Sequence, residues 1–420
     1  MSTPRGILLL LHGLSATMTP RDFLATYDPD ALHQINHAAC AGASLPVAGG
    51  DVVGVLLLER GGPTHIEDVP SFLYRLLMDP IAVDIPVGGR LRHWLCRSLA
   101  RLHARTLRDK YRKIGDSSPA NRLVREQAHA LESVLNERSD CTPSGALFRV
   151  YPGLRHGSPS METTVHEMIR DGVDRVVVLP LHPHYSDATT GAMVAYWTAL
   201  HDAGERPNWP MTTVCAYATN PKYIRALSER IDEGLQRFPS TKRDDVHLVF
   251  STLGMPDVVP NALRGQAPVG SRHHVKPTVD AIMEERTNKR PYHVAFERHS
   301  RWSDGTAPAL ANTLESLVRD GTRTVLVVPI AFVTDHVETM CELDIEMRDY
   351  ADTLGITHYE VTSSLNSHPL FIDALADVTT AHLDLSANTP NDFEGDGVPE
   401  DELPVPSPNV SASRHDSSSR

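Results

Sequence analysis

The chain has 420 residues, of which 41% are hydrophobic, so it is long enough for one large domain or two ordinary ones. A formal net charge of −13 argues against a nucleic-acid partner. Five scattered cysteines without a C-x-x-C pair indicate a reducing compartment, with neither a disulfide framework nor a recognisable cluster site. No apolar run approaches the ~18 residues of a membrane span. We therefore expect a cytoplasmic chain, with peripheral membrane contact left open.

The two ends of the chain read differently from its middle. "RGILLLLHGLSA" near the start imitates a signal peptide, but its apolar run from Gly6 to Leu11 is shorter than such a segment needs. The run "GILLLLHG" echoes "GVLLLERG" from Gly54, and the second copy has the better continuation as a first core strand. Residues 1–50 are thus predicted to be an extension. Residues 386–420, rich in Pro, Ser and acid, are predicted to be a disordered tail.

An internal repeat organises the region between these ends. "TTVHEMIRDGVDRVVVLPLHPHYSD" begins at Thr163 and "NTLESLVRDGTRTVLVVPIAFVTDH" begins at Asn312, an offset of 149 residues without a gap. Each copy reads as an amphipathic helix, an Asp-Gly stop, a β-branched strand and an exit loop. "VLLLERGGP" and "HLVFSTLGMP" form a second echo. The sequence predicts an α/β fold of two similar lobes with doubly wound parallel sheets, residues 51–240 and 241–385.

The carboxyl ends of the repeated strands predict a binding cleft. Ligands of open parallel sheets bind outside the carboxyl ends of the strands. The exit loops, residues 182–190 and 332–338, should therefore line a cleft between the lobes.

An acidic row follows the second repeated strand, in "FVTDHVETMCELDIEMRDY". At about 100° per residue, five acids fall within about 80° of one another on a helix; they are Asp335, Glu338, Glu342, Glu346 and Asp349. Such i,i+4 like charges are unfavourable, so either water screens this face or a cation uses it. A capping box accounts for the first two acids only. The opposite, packing face is predicted to contain Met340, Leu343 and Met347.

Histidines and an arginine at other strand ends are further candidates. In "PLHPHYSDATTG", His182 and His184 share one side if the backbone is extended, where they could bind metal or move protons. The alternative is an ordinary polar loop. In "GLRHGSP", Arg155 and His156 follow another strand, and Arg155 either holds a carboxylate or pairs with an acid on the surface.

Several motifs, in order, resemble those of ferrochelatases, which insert ferrous iron into a porphyrin in haem synthesis. "FVTDHVETMCELDIEM" resembles the family signature, and the likeness spans residues 51–382. The other matching segments are "GVLLLERGGPTHIEDVPSFLYRLLMDP", "YRKIGDSSP", "LPLHPHYSDATTG" and "SSLNSHPLFIDALADV". The resemblance implies a chelatase-like fold of two doubly wound lobes with the porphyrin in the cleft between them.

The resemblance also implies roles for individual residues. Glu338 matches the metal-site glutamate, with His336 beside it, and Glu342 and Glu346 match an acidic helix thought to pass metal or protons. The implied substrate-pocket residues are Arg155, His156, Tyr185, Ser118, His182 and His184. Ferrous iron accepts imidazole and carboxylate ligands. Two pyrrole protons must leave as the metal enters, so a base is required.

Three departures from the family pattern lie at strand ends. The family has S-x-H-G-x-P, whose histidine faces the porphyrin centre, but this chain has "STLGMP" with Leu253 at that position. "ERH" at residues 297–299 replaces a Q-S-R/K stretch, and Glu59 and Arg60 are new in "LLLERGGP". Leucine can neither coordinate metal nor accept a proton.

The departures leave several functions open. One is a working ferrochelatase whose base has moved to His182, His184, His156 or His299. A second is a relative that binds porphyrin, haem or metal without turnover. A third is a chelatase acting on another tetrapyrrole or metal, and a fourth is a two-lobed small-molecule binder. Ferrous iron is expected as a substrate, with no tightly bound cofactor. The absence of a cysteine cluster in the last lobe argues against an iron–sulfur centre.

Overall fold

Two parallel sheets of four strands organise the protein, seen in a computed structural model that describes residues 18–26, 44–83, 85, 89–138, 145–254, 271–298 and 309–384. A short pair, β1 (Leu45–Pro46) with β10 (Leu383–Asp384), lies outside the two sheets. The first sheet contains β2 (Val52–Glu59), β3 (Leu147–Leu154), β4 (Arg175–Pro180) and β5 (Met211–Thr213). The second contains β6 (His247–Gly254), β7 (Tyr292–Arg298), β8 (Thr324–Pro329) and β9 (His358–Val361).

The two sheets repeat one topology. Their strand orders are β3-β2-β4-β5 and β7-β6-β8-β9, and all the pairings are parallel. The repeated strands β4 and β8 begin at residues 175 and 324, which differ by the predicted 149 positions. The predicted α/β fold, with two parallel-sheet lobes related by internal duplication, is confirmed.

Helices cover the sheets and connect the strands, as parallel pairing requires. They are α1 (Pro20–Thr26), α2 (Val69–Met78), α3 (Gly89–Lys113), α4 (Ala120–Glu137), α5 (Met161–Arg170), α6 (Ala192–Asp202), α7 (Pro221–Gln236), α8 (Ser271–Glu285), α9 (Leu310–Arg319), α10 (Met347–Thr353) and α11 (Pro369–Ala381). Two π-helical segments follow the repeated strands, Asp187–Gly191 and Glu338–Glu346. Local sequence sets several starts; for example, the Ser160 hydroxyl accepts a hydrogen bond from the Thr163 amide at the beginning of α5.

The main core lies between the two sheets. Along β2, Val55 and Leu57 face this core, whereas Leu56 and Leu58 face a second core with α5 and α6. β8 alternates in the same way between the main core and a third core beside α9 and α10. Successive strand side chains point to opposite faces, so a strand covered on both faces must be apolar throughout. This accounts for the continuous apolar runs in the sequence.

The segment before the first sheet packs against the first lobe where it is described. Phe23 of α1 makes an edge-to-face contact with Tyr196 of α6, with ring centroids 5.1 Å apart. "GVLLLERG" forms the core strand β2, as predicted. The competing stretch at residues 6–13 and the tail at residues 386–420 lie outside the described residues. The domain boundaries remain a prediction.

The described cysteines differ from one another. Cys96 and Cys341 are free and buried, whereas Cys215 is disulfide-bonded, which the absence of a cysteine pattern did not predict. Among the helices of the described ranges, none combines the length and the apolar character needed to cross a membrane.

Candidate active site between the lobes

The carboxyl ends of three strands bring together a buried carboxylate and two imidazoles. Glu59 is the last residue of β2, His182 follows β4, and His336 lies in the loop after β8. The Glu59 Oε1 atom is 3.5 Å from His336 Nε2 and 3.9 Å from His182 Nε2. Each residue is at most 7% exposed. Because β2 and β4 belong to the first sheet and β8 to the second, this cluster joins the two lobes.

Electrostatics favour the ionised form of Glu59. Burial alone would raise the pKa of Glu59, but His182, His336 and the backbone N–H of Arg60 outweigh it and lower the pKa to about 2. Burial lowers the pKa of His182, and the charge of Glu59 opposes this only partly. Within the described part of the chain, the Nδ1 atoms of His182 and His336 have no hydrogen-bond partner. Buried polar atoms are normally paired, so these nitrogens are suited to a ligand.

An ion pair beside this cluster also connects the lobes. Arg60 Nη2 lies 2.6 Å from Glu338 Oε1, and the Glu338 side chain is only 9% exposed. Burial would lower the pKa of Arg60, but the carboxylates of Glu338 and Glu59 outweigh it and raise that pKa. Tyr111 packs nearby, and burial together with the Glu338 charge raises the pKa of its phenol. Glu338, the predicted metal-site residue, therefore forms an ion pair with Arg60 in this structure.

Two lysines of α3 form ion pairs with Glu342 and Glu346 of the acidic row. Lys110 Nζ is 2.9 Å from Glu342 Oε1 and 2.9 Å from Glu346 Oε2, and Lys113 lies 3.8 Å from Glu346. Asp335 instead accepts a hydrogen bond from Asn366 Nδ2 at 2.7 Å. The sequence posed a choice between water and a bound cation; the structure shows that cationic side chains of the chain itself meet much of this row. Lys110 was missed because it lies 232 positions from Glu342.

The winding of the acidic segment corrects the predicted packing face. Residues Glu338–Glu346 form a π helix, whose i→i+5 bonds change the angular spacing from that of an α helix. Leu343 is buried, as predicted, and Met347 packs against the same core. Met340, which was predicted to pack, is 36% exposed. The α-helical period does not apply to this stretch.

The two histidines of the first repeated loop do not share one side. His182 faces Glu59, whereas His184 Nε2 lies 2.8 Å from the Thr278 hydroxyl of α8. The prediction assumed an extended backbone, but the chain leaves β4 in bends before the π segment. The Tyr185 hydroxyl donates to Asp187 Oδ1 at 2.9 Å within its own loop.

The candidates after β3 form a buried network. Arg155 Nη2 is 2.9 Å from Asp79 Oδ2, and its guanidinium lies 3.5 Å from the centroid of the Tyr196 ring. Because the Arg155 side chain is only 8% exposed, the prediction of a surface ion pair is wrong, and its internal carboxylate partner is Asp79. His156 lies 3.8 Å from Asp79, and burial with the neighbouring arginines holds the pKa of His156 well below its usual value.

Ser118 packs tightly against the loop after β2. The Ser118 backbone N–H donates to the Pro63 carbonyl at 2.9 Å. A Cβ placed on Gly62 would lie 2.4 Å from Ser118 Oγ, so only glycine fits there without movement. A cavity of about 330 Å³ adjoins this loop, lined in part by Thr64, Arg75 and Arg155.

The position of the missing family histidine lies on β6. The backbone of Leu253 pairs with that of Glu297 on β7. The side chains of both residues, and the whole of His299, lie outside the described part of the structure. Within the described ranges, no group of three His, Cys, Asp or Glu residues is arranged to hold a metal ion.

Comparison with known proteins identifies the family. The ferrochelatase family model matches residues 52–383. The ferrochelatase of Geotalea uraniireducens is 35% identical over 325 residues, covering 77% of this chain and 96% of that protein. The mitochondrial ferrochelatase of Bos taurus is 32% identical over 332 residues, covering 79% and 77%. The solved structure of SirB from Bacillus subtilis with Fe3+ aligns over 79% of this chain and 95% of that chain, with a TM-score of 0.45 and 12% identity.

The fold and the sequence comparisons together indicate the class of this protein and its family. Two duplicated parallel-sheet lobes agree with the chelatase fold, and the family match supports a metal chelatase of the porphyrin type. The chain belongs to the ferrochelatase family.

Sequence reasoning missed the contacts made by Glu59 and Arg60. Both were noted as departures from the family pattern, but their partners were not foreseen. A signal was present, because two adjacent charges at the end of a continuous apolar strand must be paired when buried. The partners proved to be His182 and His336 for Glu59, and Glu338 for Arg60.

Proposed function

We propose that this protein inserts ferrous iron into a porphyrin, either proto- or coproporphyrin, as a step of haem biosynthesis. Membership of the ferrochelatase family supports this proposal. The observation that carries it is the buried cluster of Glu59, His182 and His336 beside Glu338, at the meeting point of the two sheets. A carboxylate such as that of Glu338 is a ligand that ferrous iron accepts, and neutral imidazoles can accept protons.

The chemistry needs both a metal site and a proton acceptor. Each of two pyrrole N–H groups gives its proton to a base, and the freed lone pairs bind Fe2+, so a porphyrin dianion and a divalent ion form a neutral core. We assign Glu338 to the incoming metal, and Glu342 and Glu346 to its approach. His336 and His182 are the proposed acceptors, because their buried ring nitrogens include atoms without a partner in the described residues. Glu59 stabilises the imidazolium that forms.

Anaerobic absorption spectroscopy tests the proposal. The purified protein is mixed with ferrous iron and protoporphyrin or, separately, coproporphyrin. We expect the spectrum of the metalloporphyrin to appear over minutes, at a rate proportional to protein concentration. No metalloporphyrin above the protein-free rate, with either porphyrin, would contradict it.

A second candidate function is porphyrin, haem or metal binding without turnover. Two observations favour it: Leu253 replaces the family histidine, and Arg60 occupies Glu338. A shifted porphyrin spectrum without metal insertion would support this alternative. Under it, we expect Leu253→His to raise the insertion rate by about 100-fold or more, since a positioned base contributes on that scale. If Leu253→His binds porphyrin but shows no gain in insertion rate, the loss of the family histidine alone does not explain the lack of turnover.

Three further expectations remain predictions. They are a cytoplasmic location, the absence of a tightly bound cofactor and the absence of an iron–sulfur cluster. Peripheral membrane contact has one supporting surface, the basic helix α3, on which Leu91, Trp94 and Leu102 are each more than half exposed. Helices of this composition lie at membrane interfaces.

A further inference from the structure

The dipeptide Glu59–Arg60 ends a strand that is otherwise apolar. Its two side chains enter different parts of the site: Glu59 meets the imidazoles, and Arg60 reaches across to Glu338 of the second lobe. The Arg60 guanidinium also lies 6.0 Å from the centroid of the Phe332 ring, in the loop that follows β8. The Arg60 guanidinium thus contacts Glu338 and lies near an aromatic ring, and the negative charge of Glu59 also favours its charged form.

The ion pair and a metal ion compete for the same carboxylate. Nη2 of Arg60 is 2.6 Å from Glu338 Oε1 and makes a charge-assisted hydrogen bond to it. A divalent ion bound to that oxygen at about 2.1 Å would lie within a few ångströms of the guanidinium, where the two positive charges repel each other. In a site this buried, solvent screens such repulsion weakly.

A change of pH cannot remove the positive charge of Arg60 from Glu338. The guanidinium stays charged at every pH at which the protein is folded. Arg60 must therefore move for Glu338 to bind a metal ion. The Arg60 side chain is 26% exposed, so it has space to turn, and Glu59 supplies a second negative charge that retains it.

We infer that Arg60 is an internal gate of the metal site: its guanidinium occupies the cation position of Glu338 and withdraws when a divalent metal ion binds there. This inference rests on the proposed role of Glu338 as the metal-site residue. It assigns a specificity function to Arg60, because only cations that bind Glu338 more strongly than a guanidinium does can open the site. Monovalent ions and weakly held divalent ions are excluded.

Zinc binding measured by isothermal titration calorimetry tests the gate without needing turnover. The variant is Arg60→Leu, which replaces the guanidinium with an apolar side chain. We expect it to bind Zn2+ about tenfold more tightly than the wild type, since a neighbouring positive charge shifts the cation affinity of a carboxylate by at least that factor. Arg60→Lys should fall between them. The gain should disappear in Arg60→Leu/Glu338→Gln.

A matched control removes a guanidinium of α10 that pairs with a different carboxylate of the π segment. Arg348 Nη2 lies 2.6 Å from Asp344 Oδ1, the same separation as in the Arg60 pair, but on the other side of the π segment. Arg348→Met should leave Zn2+ affinity unchanged. An equal gain in this variant would overturn the gate, because it would show a general effect of net charge.

A second measurement uses the wild-type protein and does not depend on a variant that folds. An arginine-specific dicarbonyl reagent is applied with and without saturating Zn2+, and modified peptides are quantified by mass spectrometry. Withdrawal of the guanidinium should raise modification of Arg60 severalfold, relative to Arg348. Unchanged modification, or unchanged Zn2+ affinity in Arg60→Leu, overturns the inference. Failure of the proposed function gives a different result, namely no metalloporphyrin even when Arg60→Leu tightens Zn2+ binding.

Discussion

The loops after β4 and β8 descend from one repeated pattern, yet they carry different chemistry. Both leave a buried parallel strand through a proline and enter a π-helical segment. The first loop supplies His182 and a group of hydroxyls, whereas the second supplies His336 and carboxylates. Their histidines are not equivalent in the repeat, but both lie near Glu59. The two lobes share one backbone topology, and the sequence differences between the two loops determine which side chains lie at the site.

The proposed function assigns the metal to the second loop. Glu338→Ala should lower the rate of iron insertion by about 100-fold or more, because it removes the carboxylate that meets the metal. Stopped-time absorbance assays of metalloporphyrin formation measure this effect. Asp349→Asn removes the exposed outer member of the same acidic row and should change the rate less than twofold. Equal losses in the two variants would mean that the row acts only through its total charge.

Glu59 should control stability at acidic pH. Its folded-state pKa of about 2 lies below the ordinary value of 4.5, so its ionised form stabilises the fold above about pH 4.5, and this stabilisation is lost as the pH falls toward 2. The difference corresponds to roughly 3 kcal/mol. Urea unfolding should show Glu59→Gln as less stable at pH 7, with the gap to wild type closing between about pH 4.5 and 2.

The control for Glu59 is an exposed glutamate nearby. Glu67→Gln should leave both the stability and its pH dependence within about 0.5 kcal/mol of the wild type. If Glu59→Gln instead follows the wild-type pH profile at a constant offset, the carboxylate has the same pKa in the folded and unfolded states, and its ionised form does not stabilise the fold.

The two histidines of the first loop should separate activity from stability. His182→Gln should lower the insertion rate about tenfold or more, because it replaces an imidazole at the centre of the cluster. His184→Ala should mainly lower the free energy of unfolding, by about 1 kcal/mol, because it removes the hydrogen bond to Thr278. Rates and urea midpoints for both variants measure the split. The reverse pattern would move the reactive side of the loop to His184.

Lys110 should contribute the smallest effect. It contacts Glu342 and Glu346 at 2.9 Å each, and all three side chains are partly exposed. Lys110→Met should cost about 1 kcal/mol, and the loss should shrink at high salt. Lys113→Met, whose Nζ is 3.8 Å from Glu346, should cost less. Chemical denaturation at two ionic strengths distinguishes these outcomes, and a larger loss for Lys113→Met would refute the assignment of Lys110 as the main counter-ion.

The sequence predicted the strands and the two-lobed fold well, because the residue patterns that indicate them are local. The 149-residue offset, the apolar strands and the exit loops each depend on neighbouring residues, and β4 and β8 lie where the repeat predicts them. The site was predicted only in part. The partner of Glu338 is Arg60, which lies 278 positions away in the sequence. No local pattern predicts a contact over that separation.

A second kind of failure came from assumed geometry. The prediction for Met340 used an α-helical period, which the π segment does not follow, and the prediction for His184 used an extended backbone, which the loop does not adopt. One of the two alternatives for Arg155 was an ion pair on the surface, but its side chain is buried against Phe23 of α1 and Tyr196 of α6 with Asp79 as its partner. The first two errors arise from the local backbone conformation, and the third concerns the burial of one side chain.

The location of bound metal tests the central claim most directly. Crystals of the wild-type protein are soaked in a saturating concentration of Co2+, as a stand-in for Fe2+, and anomalous diffraction locates the ion. The account predicts the strongest peak about 2.0–2.5 Å from a carboxylate oxygen of Glu338. Peaks confined to the outer surface, with the Arg60–Glu338 ion pair intact, would contradict the assignment of the metal to this site.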